Sequence, residues 1–190
     1  MATKEFTHLH VHTEYSMLDG AARLGDLFTH AKELGMKSMA TSDHGFLFGA
    51  FDFWRQAKAH DIKPIIGVEA YLTPGTHRTD RSRVRWGDGS RDDVSGGGAY
   101  THMTMWAETT EGMHNLFRAS SIASLEGQLY KPRMDREVLQ TYSKGLIATT
   151  GCPSGEVQTR LRLGQFDEAI QAASDFRDIF GKDNFYCEVM

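Results

Sequence analysis

Three histidines alternate with apolar residues near the start of the chain, His8-Leu9-His10-Val11-His12, and the polar run Thr13-Glu14-Tyr15-Ser16-Met17-Leu18-Asp19-Gly20 follows. Alternation with period two predicts a strand. Side chains at i and i+2 of a strand share a face, with Cα atoms roughly 6.5 Å apart. Two imidazoles at that separation can converge on one metal ion or on two neighbouring ions, since a Zn–N bond is about 2.0–2.1 Å. Just beyond the strand, Asp19 offers a carboxylate. Polar decoration of a half-exposed strand would account for one such histidine. It accounts less well for three on one face followed by an acid.

Four more metal-competent side chains stand at comparable places. His44 lies just past the second expected strand, Glu69 late in the third, His102 in the fourth and Cys152 just past the fifth. In parallel α/β folds the C-terminal edge of the strands is where sites are built. Singly, each has an ordinary explanation: a turn cap for His44, a buried ion pair for Glu69, a carbonyl partner for His102, a small buried hydrophobe for Cys152. With His10, His12 and Asp19 they exceed the four ligands of one tetrahedral zinc, which implies two or three divalent ions. Mixed imidazole, carboxylate and thiolate favours zinc, with manganese or iron as alternatives. Clustered ions with open positions suit phosphoester hydrolysis, one holding hydroxide at neutral pH while others bind the phosphate and leaving oxygens. No protein nucleophile is needed, and the sequence holds neither a Gly-x-Ser-x-Gly elbow nor a Walker loop.

The elements that must position these residues can be read in order. Leu24, Leu27, Phe28, Ala31 and Leu34 predict a helix with Gly35 as its stop. A short strand, Lys37 to Thr41, precedes Ser42-Asp43-His44-Gly45. Phe48, Phe51, Trp54, Ala57 and Ala59 predict the apolar side of a second helix. Ile62 to Leu72 is a near-continuous apolar run, as in strands buried on both faces, interrupted by Glu69. Residues 73–99 differ: Arg78, Arg81, Arg83, Arg85 and Arg91, with Gly87, Gly89 and Gly96-Gly97-Gly98, predict a flexible surface insertion. Its arginines either meet a phosphate backbone or sit in a solvated loop balanced by Asp80, Asp88, Asp92 and Asp93. A strand over Tyr100–Ala107 and a helix through Met113, Leu116, Phe117 and Ile122 follow. A linker from Gly127 to Pro132 leads to a helix that Asp135 opens as N-cap. Then come a strand from Gly145 to Thr150, helices over 155–163 and 165–180, and a last strand from Asn184 to Val189. Repeated strand–helix alternation predicts a parallel sheet, and this many units a barrel. A chain ending on a strand without a covering helix reads as a piece of a longer polypeptide.

Composition bounds the rest. The 190 residues suffice for one domain with a real core, and 40% hydrophobic with 24% charged content is ordinary for a globular chain. The formal charge of −4 excludes a strongly basic nucleic-acid module. Cys152 and Cys187 make no disulfide framework, so a reducing compartment is expected. The N-terminus carries no signal peptide pattern, and no apolar run approaches the roughly 18 residues of a membrane span. A cytoplasmic location without membrane partners is the expectation.

His10-x-His12-Thr13, Asp19-Gly20, Ser42-Asp43-His44-Gly45 and Gly67-x-Glu69 resemble the PHP (polymerase and histidinol phosphatase) superfamily. The run His8–Gly20, the segment Ile62–Tyr71, Tyr130-Lys131-Pro132-Arg133 and Thr150-Gly151-Cys152-Pro153-Ser154-Gly155-Glu156 are similar to the N-terminal PHP domains of bacterial replicative DNA polymerase III alpha subunits. The resemblance covers essentially residues 1–190 as one PHP domain. It implies a distorted seven-stranded α/β barrel, a (β/α)7-type fold, with a trinuclear metal centre. It implies metal-ligand roles for His10, His12, Asp19, His44, Glu69, His102 and Cys152, with Glu69 bridging two ions. His8 falls where many members carry an aspartate and is left out of the ligand set. Two further ligands, an Asp and a His, belong to the pattern but not to this chain, so the barrel is expected to be truncated before its last strands. The implied function is a DNA-directed DNA polymerase in DNA replication whose PHP domain is a metal-dependent 3′–5′ exonuclease that proofreads. The alternatives are an inactive metal-stabilised scaffold and a stand-alone phosphoesterase. The implied partners are DNA at the primer 3′ end, the remainder of the polymerase chain, and replisome subunits such as the sliding clamp or a separate proofreading subunit.

Overall fold

The structure, a computed structural model, describes residues 6–88, 90 and 93–190. Of the residues named in the expected insertion, Gly89, Arg91 and Asp92 lie outside the described residues, as does the N-terminal stretch 1–5.

The elements run α1 (Leu24–Glu33), β1 (Ser38–Thr41), α2 (Ala50–Ala59), β2 (Lys63–Leu72), the glycine turn α3 (Ser95–Gly98), β3 (Thr101–Ala107), α4 (Thr110–Glu126), β4 (Gln128–Leu129), β5 (Lys131–Met134), α5 (Arg136–Tyr142), β6 (Leu146–Thr149), α6 (Glu156–Arg162), α7 (Phe166–Phe180) and β7 (Phe185–Tyr186). The spine is β2, ten residues long and buried from Ile66 to Leu72. One edge of β2 takes β1 in parallel, Ser38 opposite Lys63 through Thr41 opposite Ile66, and His44 continues that register opposite Glu69. Farther along, β5 pairs with it in parallel, Tyr71 opposite Arg133. Strand β3 pairs antiparallel with β2, Gly67 opposite Trp106 through Leu72 opposite Thr101, and β6 then pairs antiparallel with β3. The sheet order is β4-β5-β2-β3-β6-β7, with β1 on β2. Among the described residues it is an open sheet with helices on one face, in keeping with a barrel short of its last strands.

The expectation of a wholly parallel sheet is corrected at β3. A parallel return needs a crossover about as long as a helix, whereas two strands joined at the same end run antiparallel. Among its described residues the 73–99 segment supplies no such helix; Ser95–Gly98 makes a single turn, with left-handed backbone at Gly96 and Gly97. The chain therefore re-enters the sheet at the end where it left.

The period of two divides β2 and β3 into two faces. Val68, Ala70, Leu72, Met103 and Met105 face the main core with Leu116 and Ala119 of α4, Leu139 of α5 and Phe176 of α7. Each such large apolar side chain, once buried, stabilises by about 1.5–3 kcal/mol. Glu69, Tyr71, His102 and Thr104 occupy the opposite face. A second core joins Leu24 and Phe28 of α1 to Phe53 and Ala57 of α2 and to Ile62 and Ile66. The expected apolar side of the second helix is thereby corrected: Phe53 and Ala57 are buried, while Phe48, Phe51 and Trp54 are exposed.

The N-terminal histidine strand is corrected as well. Residues 6–12 form no ladder, although Ala40 N donates to His8 O and Ser42 N to Val11 O. The two-residue step from Ala40 to Ser42 thus spans three residues of the N-terminal segment, from His8 to Val11. That extra residue interrupts the ladder as a bulge does and turns the alternation out of phase. His8 lies exposed against Phe6, with ring centroids 4.8 Å apart, rather than on one face with the other two histidines.

The 73–99 segment is tied down over its described residues. Trp86 and Val94 are buried. The guanidinium of Arg160 lies 3.7 Å from the centroid of the Trp86 ring. The fully buried Arg133 donates to the carbonyls of Arg78, Asp80 and Ala99 at 3.0, 2.8 and 3.1 Å, and to Gly127 O at 3.0 Å.

Candidate metal centre

Glu69 is the middle of the site. It is 1% exposed, on the face of β2 turned away from the main core. Its Oε2 lies 3.0 Å from His12 Nε2, 3.3 Å from His10 Nε2 and 3.3 Å from His44 Nδ1. Its Oε1 lies 2.7 Å from His102 Nδ1. The two oxygens of one carboxylate thus address two separate sets of imidazoles.

Each neighbour reaches Glu69 for a local reason. His44 arrives because the chain beyond β1 keeps its register with β2, with Gly45 N bonded to Glu69 O at 2.9 Å. Gly45 has φ +69, and a Cβ there would meet the Tyr71 ring at 2.7 Å, so the turn requires glycine. His102 is the second residue of β3, and only the antiparallel direction of β3 brings it to the edge where β2 ends. The loop carrying His12 and Asp19 is organised by buried Asp43. That carboxylate accepts from Thr13 N at 2.7 Å, Thr13 Oγ1 at 2.8 Å, Ser16 Oγ at 2.8 Å and Thr41 Oγ1 at 3.1 Å. Asp19, more than half exposed, sits at the mouth with its Oδ2 2.6 Å from His44 Nε2 and 3.8 Å from His12 Nε2. Cys152 follows β6 at a turn where Gly151 has φ +78, and its Sγ lies 3.5 Å from His102 Nδ1.

All seven residues expected from the sequence therefore come together. Three overlapping donor groups are compact: His10, His12 and Glu69; His12, Asp19 and His44; His44, Glu69 and His102, each with ligand atoms within 4.8 Å of one another. Cys152 stands beside the third. Among the described residues Nδ1 of His44 is buried without a hydrogen-bond partner although Glu69 faces it, which suits a donor atom open to a cation. The donor set and its spacing fit divalent ions. A fourth group, His77, Asp135 and Glu137, is already filled: Arg78 Nη1 lies 3.1 Å from both Asp135 Oδ2 and Glu137 Oε2.

Sequence reasoning missed Glu188. Its Oε1 is 2.5 Å from His10 Nδ1, and its Oε2 accepts from Thr149 Oγ1 at 2.5 Å and Thr104 Oγ1 at 3.2 Å. With Nδ1 held this way, Nε2 of His10 is directed at Glu69. An outer carboxylate so placed would orient the imidazole if it bound a metal. The signal was present, an acid late in the last expected strand, as Glu69 is in the third.

The electrostatics follow from this packing. Burial disfavours the charged form of His10, but hydrogen bonds to Glu188 and Glu69 outweigh it and raise its pKa to about 9. Burial would likewise raise Glu69, yet hydrogen bonds from His10, His102 and His12 hold it far below the usual carboxylate range. Burial, with the charge of Glu69, pushes the Cys152 thiol up to about 12. Burial lowers His44 despite its bond to Asp19. Burial also raises the phenol of Tyr71, whose charged surroundings include Glu69 and Asp19.

The family profile for the PHP domain matches residues 8–190. The chain is 59% identical over 199 residues to the DNA polymerase III subunit alpha of Saccharopolyspora erythraea, covering 100% of this chain and 17% of that protein. It is 55% identical to the corresponding subunit of Mycobacterium tuberculosis, covering 100% and 16%, and 44% identical to that of Deinococcus radiodurans, covering 98% and 14%. The chain thus spans about a sixth of the length of these curated relatives. A solved structure of an amidohydrolase from Chromobacterium violaceum is 12% identical with a TM-score of 0.47, over 95% of this chain and 84% of that one. With the profile matched from His8 to the last residue, the chain belongs to the PHP domain family.

Proposed function

We propose that this domain is the N-terminal part of a DNA polymerase III alpha subunit, acting in replication in the cytoplasm, and that it removes nucleotides from DNA 3′ ends as a metal-dependent 3′–5′ exonuclease. The observation that carries the reading is the convergence of six donor side chains around a seventh, the buried carboxylate of Glu69. His10, His12, Asp19, His44, Glu69, His102 and Cys152 would hold two or three divalent ions, with zinc favoured by the thiolate and imidazoles and manganese or iron as alternatives. Such ions supply Lewis acidity toward a phosphoester and bring the pKa of a water near neutrality. Glu69 offers one oxygen to the His10, His12 and His44 side and the other to the His102 side, which suits a bridge between two ions. Glu188, Thr104 and Thr149 fix the His10 ring. Asp19, at the mouth, is the ligand a substrate phosphate meets first. The similarity to alpha subunits supports the rest of the polymerase chain and the primer terminus as partners, and a sliding clamp or proofreading subunit as further ones.

A second reading is a metal-stabilised scaffold that docks the polymerase core or a proofreading subunit. The observation in its favour is that the donors come from segments far apart in the chain, so an ion would tie them together whether or not it catalyses. The deciding experiment follows loss of a 3′-end label from a mismatched primer by the full-length polypeptide with Mn²⁺ or Zn²⁺. A His10→Ala/His12→Ala double variant that still polymerises runs beside it. Label loss in the parent alone supports the nuclease. Equal, negligible loss in both supports the scaffold, and cleavage of small phosphomonoesters but not of DNA ends points to a phosphatase.

A further inference from the structure

On the side of the centre formed by β2 and β5, an aromatic and cationic rim continues from the metal donors to the surface. Tyr71 leads it. Its ring centroid is 5.8 Å from that of His44 and 5.1 Å from that of His102, and Tyr100 packs on it at 4.9 Å. Tyr71 is itself 3% exposed, so the ring forms the wall of the rim rather than its surface. The ammonium of Lys131 lies over the outer side of this ring, 5.3 Å from its centroid.

The next residue outward is Tyr130. It is the single residue between Leu129 and Lys131, which pair with each other, and it has φ 62. Glycine or asparagine is the usual occupant of that conformation, and a bulky side chain there is strained. The fold makes little use of the ring, which is 63% exposed. Arg83 covers one face of it, with its guanidinium carbon 5.0 Å from the centroid, and also bonds its hydroxyl. A strained, exposed aromatic backed by an arginine, one residue from a lysine beside the metal donors, calls for a functional explanation.

We propose that this rim is the track for a single-stranded DNA end, with Lys131, seated on the Tyr71 ring, holding the phosphate next to the scissile one and the Tyr130–Arg83 pair stacking an unpaired base. Proteins that bind single strands combine a cationic groove with aromatic rings on which bases stack, and both parts are present here in sequence order. The proposal rests on the nuclease reading for what happens to the DNA, but not for where the DNA lies.

The test uses the full-length polypeptide and has two arms. In chelator, a single-stranded oligonucleotide carrying 5-iodouracil at its 3′ end is photo-crosslinked, and the linked peptides are mapped. Linkage at Tyr130, lost in Tyr130→Gly, supports the track. Linkage confined to other segments, or undiminished in Tyr130→Gly, overturns it. With Mn²⁺, Lys131→Met is expected to lower kcat/KM for a 3′-labelled oligonucleotide roughly 10- to 100-fold, mainly through KM. Hydrolysis of bis(p-nitrophenyl) phosphate should stay within about twofold, and Lys131→Arg should restore the oligonucleotide rate. Equal losses on both substrates would overturn the proposal, since they would mean that Lys131 only supports Tyr71. A wild-type protein that cleaves neither substrate would remove the nuclease reading and leave the crosslink to decide the track.

Discussion

The side chain that most repays study is Glu188, because it acts through another residue. It holds Nδ1 of His10 so that Nε2 faces Glu69. Replacing it with Gln keeps the shape and removes the charge. Glu188→Gln is expected to weaken metal binding roughly 10- to 100-fold while leaving the chelated protein folded. Equilibrium dialysis followed by elemental analysis reads the affinity, and circular dichroism reads the fold. The pH dependence is also set at this scale. In the metal-free protein His10 has a pKa of about 9 against an ordinary 6.5. Its ion pairs thus stabilise the fold fully below pH 6.5, and that contribution is lost as pH rises through about 9. Metal binding runs the other way, since ligands must shed their protons. Affinity is expected to rise from pH 7 to 9, with roughly two protons released at pH 7, from His10 and Cys152. Titration calorimetry in two buffers of different ionisation enthalpy counts them, and a count near zero would exclude these two as ligands.

At the scale of elements, the direction of β3 decides whether His102 can join the site, and the segment before it decides that direction. Arg133 on β5 anchors this segment by donating to the carbonyls of Arg78, Asp80 and Ala99, and to Gly127 O beside β4, with no carboxylate partner among the described residues. Arg133→Met removes the bonds to the carbonyls of Arg78, Asp80 and Ala99, while Gly127 O keeps the Arg133 backbone N–H, a loss of about 3–5 kcal/mol. Hydrogen exchange over residues 78–100 should accelerate more than over α4, which does not depend on these bonds. Uniform acceleration would mean that Arg133 serves the whole core instead. The loop before α1 is gathered in a similar way by Asp43. Asp43→Ala should release His12 and Asp19 together, lowering the number of bound ions measured after dialysis while the helices persist.

For the whole molecule, ions would cross-link the N-terminal segment, the end of β1, β2, β3 and the turn after β6. A ligand present at about 100 times its Kd stabilises by roughly 2.7 kcal/mol, or about 5–10 °C for a domain of this size. Chelation is expected to lower the domain's Tm by that amount, zinc or manganese to restore it, and His12→Ala to abolish the difference. A Tm indifferent to chelator would mean that the donors hold one another unaided. The sequence by itself picked out the donor set: period-two histidines, an acid inside an apolar strand and a thiol after another are the side chains that the structure brings together. It also determined most helices, because amphipathic spacing is local, and the motifs carried the family. Three things waited for the tertiary structure. The bulge beside β1 turned His8 off the face shared by His10 and His12, the long connection reversed β3, and the fold brought Glu188 back to His10 across 178 positions. Each depends on which distant backbone a segment lies against, and periodicity along one stretch holds no information about that neighbour.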